Sequence, residues 1–250
     1  MGASWEPSFN FYLSELEGGV VSFVVDLNAR PLLSHPLRWQ IRVALRNPRA
    51  DGLRDSSELE AMGKVEDKLV DTLTEGLDAV YVGRFITAGA TVFVLYLPAG
   101  ASVEAGVSLI GALVPYEAQW LTESDPTWRF FREFLYPDAY AFQSMLSRAL
   151  LEQLADGGDL LGMPRQVDHL ALFDGRSEAE KAGSQLAKRG FRVKPVSQRE
   201  DGGWALAFDR DESLDDQRAD VFVAEILDVV LPLNGRYDGW GCLVTKGSVQ

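Results

Sequence analysis

Cysteine and histidine are nearly missing from this sequence. One cysteine, Cys242, and two distant histidines, His35 and His169, stand in 250 residues. A lone thiol cannot form an intrachain disulfide, and so few Cys and His side chains cannot assemble a zinc site. No metal and no cofactor are expected, and the chain suits a reducing cytoplasm. Basic residues are also scarce: 24 Lys and Arg face 37 Asp and Glu, for a net charge of -13. Binding to nucleic acid rests on neutralising phosphates with Lys and Arg, so direct contact with DNA or RNA is not expected. The longest weakly polar run, 105–115, falls far short of the ~20 residues that span a bilayer, and no membrane partner is expected. The opening MGASWEPSF has neither a basic nor an apolar leader segment, so no secretory signal is expected.

Common catalytic motifs are missing too. Gly106-Val107-Ser108-Leu109-Ile110-Gly111 misses a nucleophile elbow by one residue. No phosphate-loop lysine spacing and no strand-borne dinucleotide fingerprint occurs. Residues 209–220 resemble a calcium loop, but Leu214 replaces the glycine of its sharp turn and Asp220 the bidentate glutamate. A helix start explains them better: Ser213 caps, and Asp215 and Asp216 on the first turn favour the positive helix end. Glu66 and Asp67 are neighbours on one helix, which does not converge two carboxylates in a cleft. His169 reads as a half-buried strand residue, and Cys242 as a small apolar one.

What is present is ordinary globular material, 46% apolar and 24% charged, enough for a core. Alternating residues around Gly18-Gly19 predict a hairpin, and Leu37 to Leu45 a half-buried strand. Ser57 and Glu60 have capping-box spacing ahead of Leu59, Met62, Val65, Leu69 and Leu73 at helical intervals. Strands over 80–86, 91–97 and 117–123 and a helix over 102–113 follow. Asp125-Pro126 starts another helix, and a further one runs over 138–154. The stretch ADGGDLLGMPRQ, 155–166, breaks the periodicity and reads as the domain boundary. Beyond it come a strand at 167–173, a helix capped by Ser177 and Glu180, strands at 191–197 and 204–209, a helix at 214–231 and a strand at 237–245. Both halves have the order βαββαβ. The expected fold class is α+β: two ferredoxin-like sandwiches with antiparallel sheets, the first with an N-terminal hairpin and trailing helices. The expected domains are 1–156 and 165–250.

Each sandwich leaves one sheet face open. In the second, Leu170, Leu172, Ala205, Ala207, Gly239, Gly241 and Leu243 share that face by alternation, while Trp240 lies on the helix side. Two glycines on one face imply a close approach by another backbone or side chain. Tyr237 and Trp240 offer the rigid surface enriched at interfaces. The candidate interaction residues are Tyr237, Asp238, Gly239 and Gly241, with Asp215 and Asp216. No catalytic residue is assigned.

Residues 165–246 resemble regulator of ribonuclease activity B (RraB), a protein inhibitor of ribonuclease E. The resemblance is carried by Val167-Asp168-His169, Gly190-Phe191-Arg192-Val193, Leu214-Asp215-Asp216 and, above all, Tyr237-Asp238-Gly239-Trp240-Gly241. Residues 1–140 resemble the bacterial domain-of-unknown-function family numbered 695. Its carriers are Trp5, Asp51-Gly52-Leu53, Glu66-Asp67, Val82-Gly83-Arg84 and Asp125-Pro126-Thr127-Trp128. The resemblance implies a non-enzymatic regulator whose partner is ribonuclease E or another basic protein. It leaves a homo-oligomer open. The other class consistent with the sequence is an enzyme or small-ligand-binding protein with a site between the two sheets.

Overall fold

The computed structural model describes residues 5–16, 18–113, 116–214 and 216–246. The chain divides into two compact units, Met1–Pro137 and Asp138–Gln250. Both are α+β with an antiparallel sheet, as the element order predicts.

The first unit contains β1 (Phe9–Leu16), β2 (Gly19–Asp26), β3 (Leu37–Ala44), α1 (Leu59–Leu77), β4 (Val80–Thr87), β5 (Ala90–Leu97), α2 (Val103–Leu113) and β6 (Ala118–Ser124). Its strands lie in the order β1-β2-β4-β5-β3-β6. The stretch from β3 to β6 is the ferredoxin-like part, and the hairpin β1–β2 extends the sheet beyond β4. Met62, Val65, Leu69 and Leu73 bury one face of α1 against Trp39, Ile41 and Val43 of β3 and Phe93 and Leu95 of β5. The Ser57–Glu60 capping box does not form. Asp55 accepts the Ser57 N–H at 2.9 Å, and Glu60 pairs outward with Lys64. A short 3₁₀ turn, Ser56–Glu58, comes first and turns Glu58 inward, where it accepts the N–H groups of Arg46 and Asn47 at 3.1 and 3.0 Å. Those bonds satisfy two backbone donors that would otherwise be lost from water.

The other face of this sheet is covered, contrary to the expectation of an open face. Every residue of β5 is buried. The cover is the segment after Asp125: Trp128 stacks on Tyr96 with centroids 4.0 Å apart, and Phe131 and Leu135 are buried beside it. The expected helix there is a turn leading into one π-helical turn, Phe131–Leu135. Asp125 organises it, accepting the Tyr96 hydroxyl at 2.7 Å and the N–H groups of Arg129 and Phe130 at 2.7 and 3.0 Å. Burial pushes the Asp125 carboxyl up, but these donors outweigh burial and hold it below its ordinary range.

The second unit contains α3 (Ala139–Asp156), β7 (Arg165–Phe173), α4 (Arg176–Lys188), β8 (Arg192–Val193), β9 (Ser197–Gln198), β10 (Trp204–Glu212), α5 (Asp216–Val230) and β11 (Arg236–Cys242). The strand order is β11-β7-β10-β8, with β9 also on β10. The edge strand expected over 191–197 is broken into two pieces around Pro195, which has no N–H to give a ladder. The capping box at Ser177 is also missing: α4 starts after Gly175, and Glu180 pairs with Arg176 at 2.8 Å.

Helix α3 belongs with this second unit rather than closing the first. It packs on α5 and β11. Trp240 donates from Nε1 to Ser147 at 2.9 Å, and Gln143 donates to the Tyr237 carbonyl at 3.0 Å. The break between units therefore falls at Pro137-Asp138, where Asp138 caps α3 through the Ala141 N–H at 2.8 Å. The stretch taken from sequence as a linker is an internal turn. Within it the Asp159 side chain is 0% exposed and takes Arg165 Nη1 at 2.7 and 2.6 Å and the Thr245 N–H at 2.7 Å. Glycine and proline mark a chain reversal, but they do not say whether a unit ends there or folds back on itself.

His169 sits in the core of this unit, stacked on Phe208 at 5.2 Å, with Nδ1 2.7 Å from the Tyr237 hydroxyl. Burial, helped by the nearby Arg210 charge, pushes its pKa down to about 3. Unfolded, it would titrate near 6.5. The unfolded chain therefore binds the extra proton first, and this group removes stability as pH falls from about 6.5 toward 3. Amide exchange of β7 in the whole chain should show that loss on acidification. His169→Phe, which keeps a ring and cannot charge, should flatten the slope between pH 7 and 5. An unchanged slope would assign the loss to other groups. Asp159→Asn should destabilise the second unit by about 3 kcal/mol at neutral pH, because it leaves Arg165 buried without a counter-charge; urea unfolding monitored by the same amides measures it.

Candidate protein-binding surface

Strand β11 carries the most specific sequence signal, and its geometry departs from strict alternation. Tyr237 pairs with Ala171, Gly239 with Leu170 and Trp240 with His169, so the register slips at Asp238. The extra residue turns both Tyr237 and Trp240 toward the helices. Tyr237 is 3% exposed, and Trp240 meets Phe222 edge-on at 5.6 Å. Gly239 makes the slip possible, with φ +104°, a conformation that side chains with a Cβ rarely adopt. Tyr237 is therefore a core residue, a correction to its expected place on an interaction surface.

The face of the sheet that points away from α4 and α5 follows from the register. It collects Leu170 and Leu172 of β7, Ala205 and Ala207 of β10, and Gly239 and Gly241 of β11. Gly241 is open: a Cβ there would meet nothing within 4 Å. A Cβ at Gly239 would come no nearer than 3.9 Å to its nearest neighbour, Gln143 Oε1. The close approach inferred from the paired glycines is thus absent within the unit; backbone conformation, not crowding, calls for glycine at 239. Asp238 is exposed beside this face and pairs with Arg236 at 3.1 Å.

A charged border lies along β8 and β10. Arg192 donates from Nε to Asp209 at 2.5 Å and from Nη2 to Asp211 at 2.9 Å, and these acceptors raise its pKa further. Lys194 is 4.0 Å from Asp168. On the helix side, Glu212 is 2% exposed and is held by Arg210 at 2.5 Å and Arg218 at 2.9 Å. Arg210 also reaches Glu225 at 2.8 Å and lies over the Phe191 ring at 3.9 Å. Much of the acidic run entering α5 is thereby committed to arginines of its own unit. Local spacing could not reveal this, because the arginines come from other strands and helices. Asp215 lies outside the described residues. Asp216 opens α5, where only its backbone is described, so it sits at the end of the helix layer and not on the sheet face with Asp238, Gly239 and Gly241.

Nucleophilic chemistry finds little support on these side chains. Burial raises the Cys242 thiol pKa despite the nearby Arg165, which keeps it protonated at neutral pH. Among the described residues no group of three or more His, Cys, Asp or Glu side chains is placed to hold a metal, and no helix is long and apolar enough to cross a membrane. The arrangement offers a mostly flat, small-residue sheet face with charged edges, which suits contact with another protein surface.

Comparison with known proteins adds the family. Residues 7–136 match the model of a family of unknown function, DUF695, and residues 145–242 match that of regulator of ribonuclease activity B. No curated protein matches the chain. Among solved structures, a protein described provisionally as a glycine cleavage system transcriptional repressor is 7% identical, covering 84% of this chain and 98% of its own, with a TM-score of 0.25. An unknown protein from Galdieria sulphuraria is 9% identical, covering 84% and 99%, with a TM-score of 0.22. Likenesses that weak bear on neither fold nor function. The RraB match begins inside α3 and ends on the last residue of β11, in line with α3 folding into the second unit. With more than half its length under the other model, the chain belongs to the DUF695 family and carries an RraB match across its second unit.

Proposed function

We propose that this chain is a non-enzymatic, cytoplasmic regulator of ribonuclease activity that works by binding protein, with ribonuclease E or another basic protein as its partner. The observation that carries the reading is the RraB match over residues 145–242. The sheet face around Gly241, edged by Asp238, is the proposed docking surface, and the sequence pair Asp215-Asp216 is retained as a proposed acidic contact. The mechanism is occlusion: the regulator occupies a basic RNA-binding or scaffold segment of the enzyme, and access of substrate falls. A net charge of -13 would speed encounter with such a segment and make the on-rate fall with salt.

The test uses the full chain and purified ribonuclease E, with cleavage of a fluorescent RNA and binding measured in parallel. Cleavage should slow as the chain saturates the enzyme; no binding and no change in rate would end the ribonuclease E reading. Gly241→Val is the sharper probe, since a Cβ at this position meets nothing within 4 Å. Its melting temperature should stay near that of the wild type while binding weakens about tenfold, the scale of one well-placed interface side chain. Unchanged binding would remove this face from the interaction. Trp240→Ala should instead lose stability, by about 2 kcal/mol, because its half-buried ring packs against the core and its indole N–H bonds Ser147.

A further inference from the structure

The sheet of the first unit ends on an unguarded strand. β6 closes the strand order, and among the described strands β3 is its only neighbour. The pairing runs without a slip from Ala118 opposite Val43 to Ser124 opposite Leu37. The bonds at the two ends of this ladder fix its phase. The Ala44 N–H donates to the Glu117 carbonyl at 3.0 Å, and the Asp125 N–H to the Pro36 carbonyl at 2.7 Å. Odd-numbered residues of β6 therefore bond β3, while Ala118, Trp120, Thr122 and Ser124 turn their N–H and C=O groups outward.

Natural edge strands are guarded by Lys, Pro, a bulge or a covering element. β6, Ala-Gln-Trp-Leu-Thr-Glu-Ser, has no Lys, no Pro and no bulge. Its one charge, Glu123, is paired with Arg38 of the adjacent β3. Trp120, on the helix side of the sheet with Ile41, remains 49% exposed, and Leu121, on the opposite side, 48%. The same edge thus presents a large apolar side chain on each face.

The strand is complementary to itself in one antiparallel register. Set about Leu121, all seven residues pair. Outward backbone groups then meet outward backbone groups: Ala118 lies opposite the partner's Ser124, and Trp120 opposite the partner's Thr122. Leu121 meets the partner's Leu121. Glu123 meets the partner's Gln119, so no like charges are opposed. Aromatic and β-branched side chains placed opposite each other stabilise antiparallel strands.

We infer that β6 joins two copies of this chain, antiparallel about a two-fold axis at Leu121, so that their six-stranded sheets run on into one. The inference concerns the first unit and does not depend on the ribonuclease reading. One strand per copy makes a small contact, and two chains of net charge -13 repel each other. The dimer therefore dissociates on dilution and tightens with added salt, the opposite of the salt dependence of a basic partner.

Sedimentation velocity of the full chain at rising concentration should show monomer and dimer in exchange, with more dimer at high salt. Leu121→Lys and Leu121→Glu each set like charges against each other at the axis, and each should weaken the dimer about tenfold. Mixed in equal amounts, the two variants should dimerise again, because opposite charges then face each other. Thr122→Pro tests the backbone pairing: it spares the bonds to β3, since the Thr122 N–H points outward, and should abolish the dimer. If that variant fails to fold, the Leu121 pair, built on an exposed side chain, still decides. A monomer at every concentration and salt, a dimer indifferent to Leu121→Lys, no recovery in the mixture, or a dimer of folded Thr122→Pro would each overturn the assignment.

Discussion

One backbone constraint recurs in both units and orients the side chains around it. In β4 and in β11 a strand slips by one residue at a glycine of positive φ, Gly83 at +139° and Gly239 at +104°. The slip places two residues three apart on the same side of the sheet: Tyr81 with Arg84, and Tyr237 with Trp240. Alternation would separate each pair. At Gly83 the constraint is doubled, since a Cβ would lie 2.2 Å from the Val24 carbonyl. The local sequences, Tyr-Val-Gly-Arg and Tyr-Asp-Gly-Trp, share the tyrosine and the glycine, and the last residue sets the chemistry on the helix side. Arg84 brings a charge that needs Glu66; Trp240 brings an indole that α3 receives at Ser147.

The consequences spread outward from these slips. Tyr237 turned inward gives His169 a hydroxyl partner in an aromatic core, and that core keeps the imidazole neutral. Turning Tyr237 and Trp240 inward also leaves Gly239 and Gly241 on the opposite face of β11, with Arg236 at its end. A sheet face with little side-chain relief at its centre is what a partner surface can cover. In the first unit the same device brings Tyr81 and Arg84 together on Glu66 of α1. The opposite face of that sheet is closed instead by the Asp125 turn and the stack of Trp128 on Tyr96.

Buried ionic groups divide by how fully they are satisfied. Asp159 with Arg165, and Glu212 with Arg210 and Arg218, are closed sets in which each carboxylate oxygen has a donor. Closed sets of this kind fix the path of the chain, here a turn and a strand end.

The α+β class and the βαββαβ order were legible in the sequence, because helix and strand periodicities are local properties of a dozen residues at a time. The family resemblance of both halves was legible too, in short motifs such as Tyr237 to Gly241. Which unit owns α3 was not. Pro137-Asp138 and the Gly157–Gln166 stretch both signal a break, and only the packing of α3 on α5 and β11 chooses between them. Strand alternation put Tyr237 on the wrong face, since one inserted residue reverses every position before it. The two predicted capping boxes failed because Glu58, two residues before Glu60, was drawn into backbone bonds at 46 and 47, and because Glu180 found Arg176. The sequence by itself determined the elements and their order, while the tertiary structure alone decided the faces, the boundary and the ion pairs, because those depend on groups brought together from distant parts of the chain.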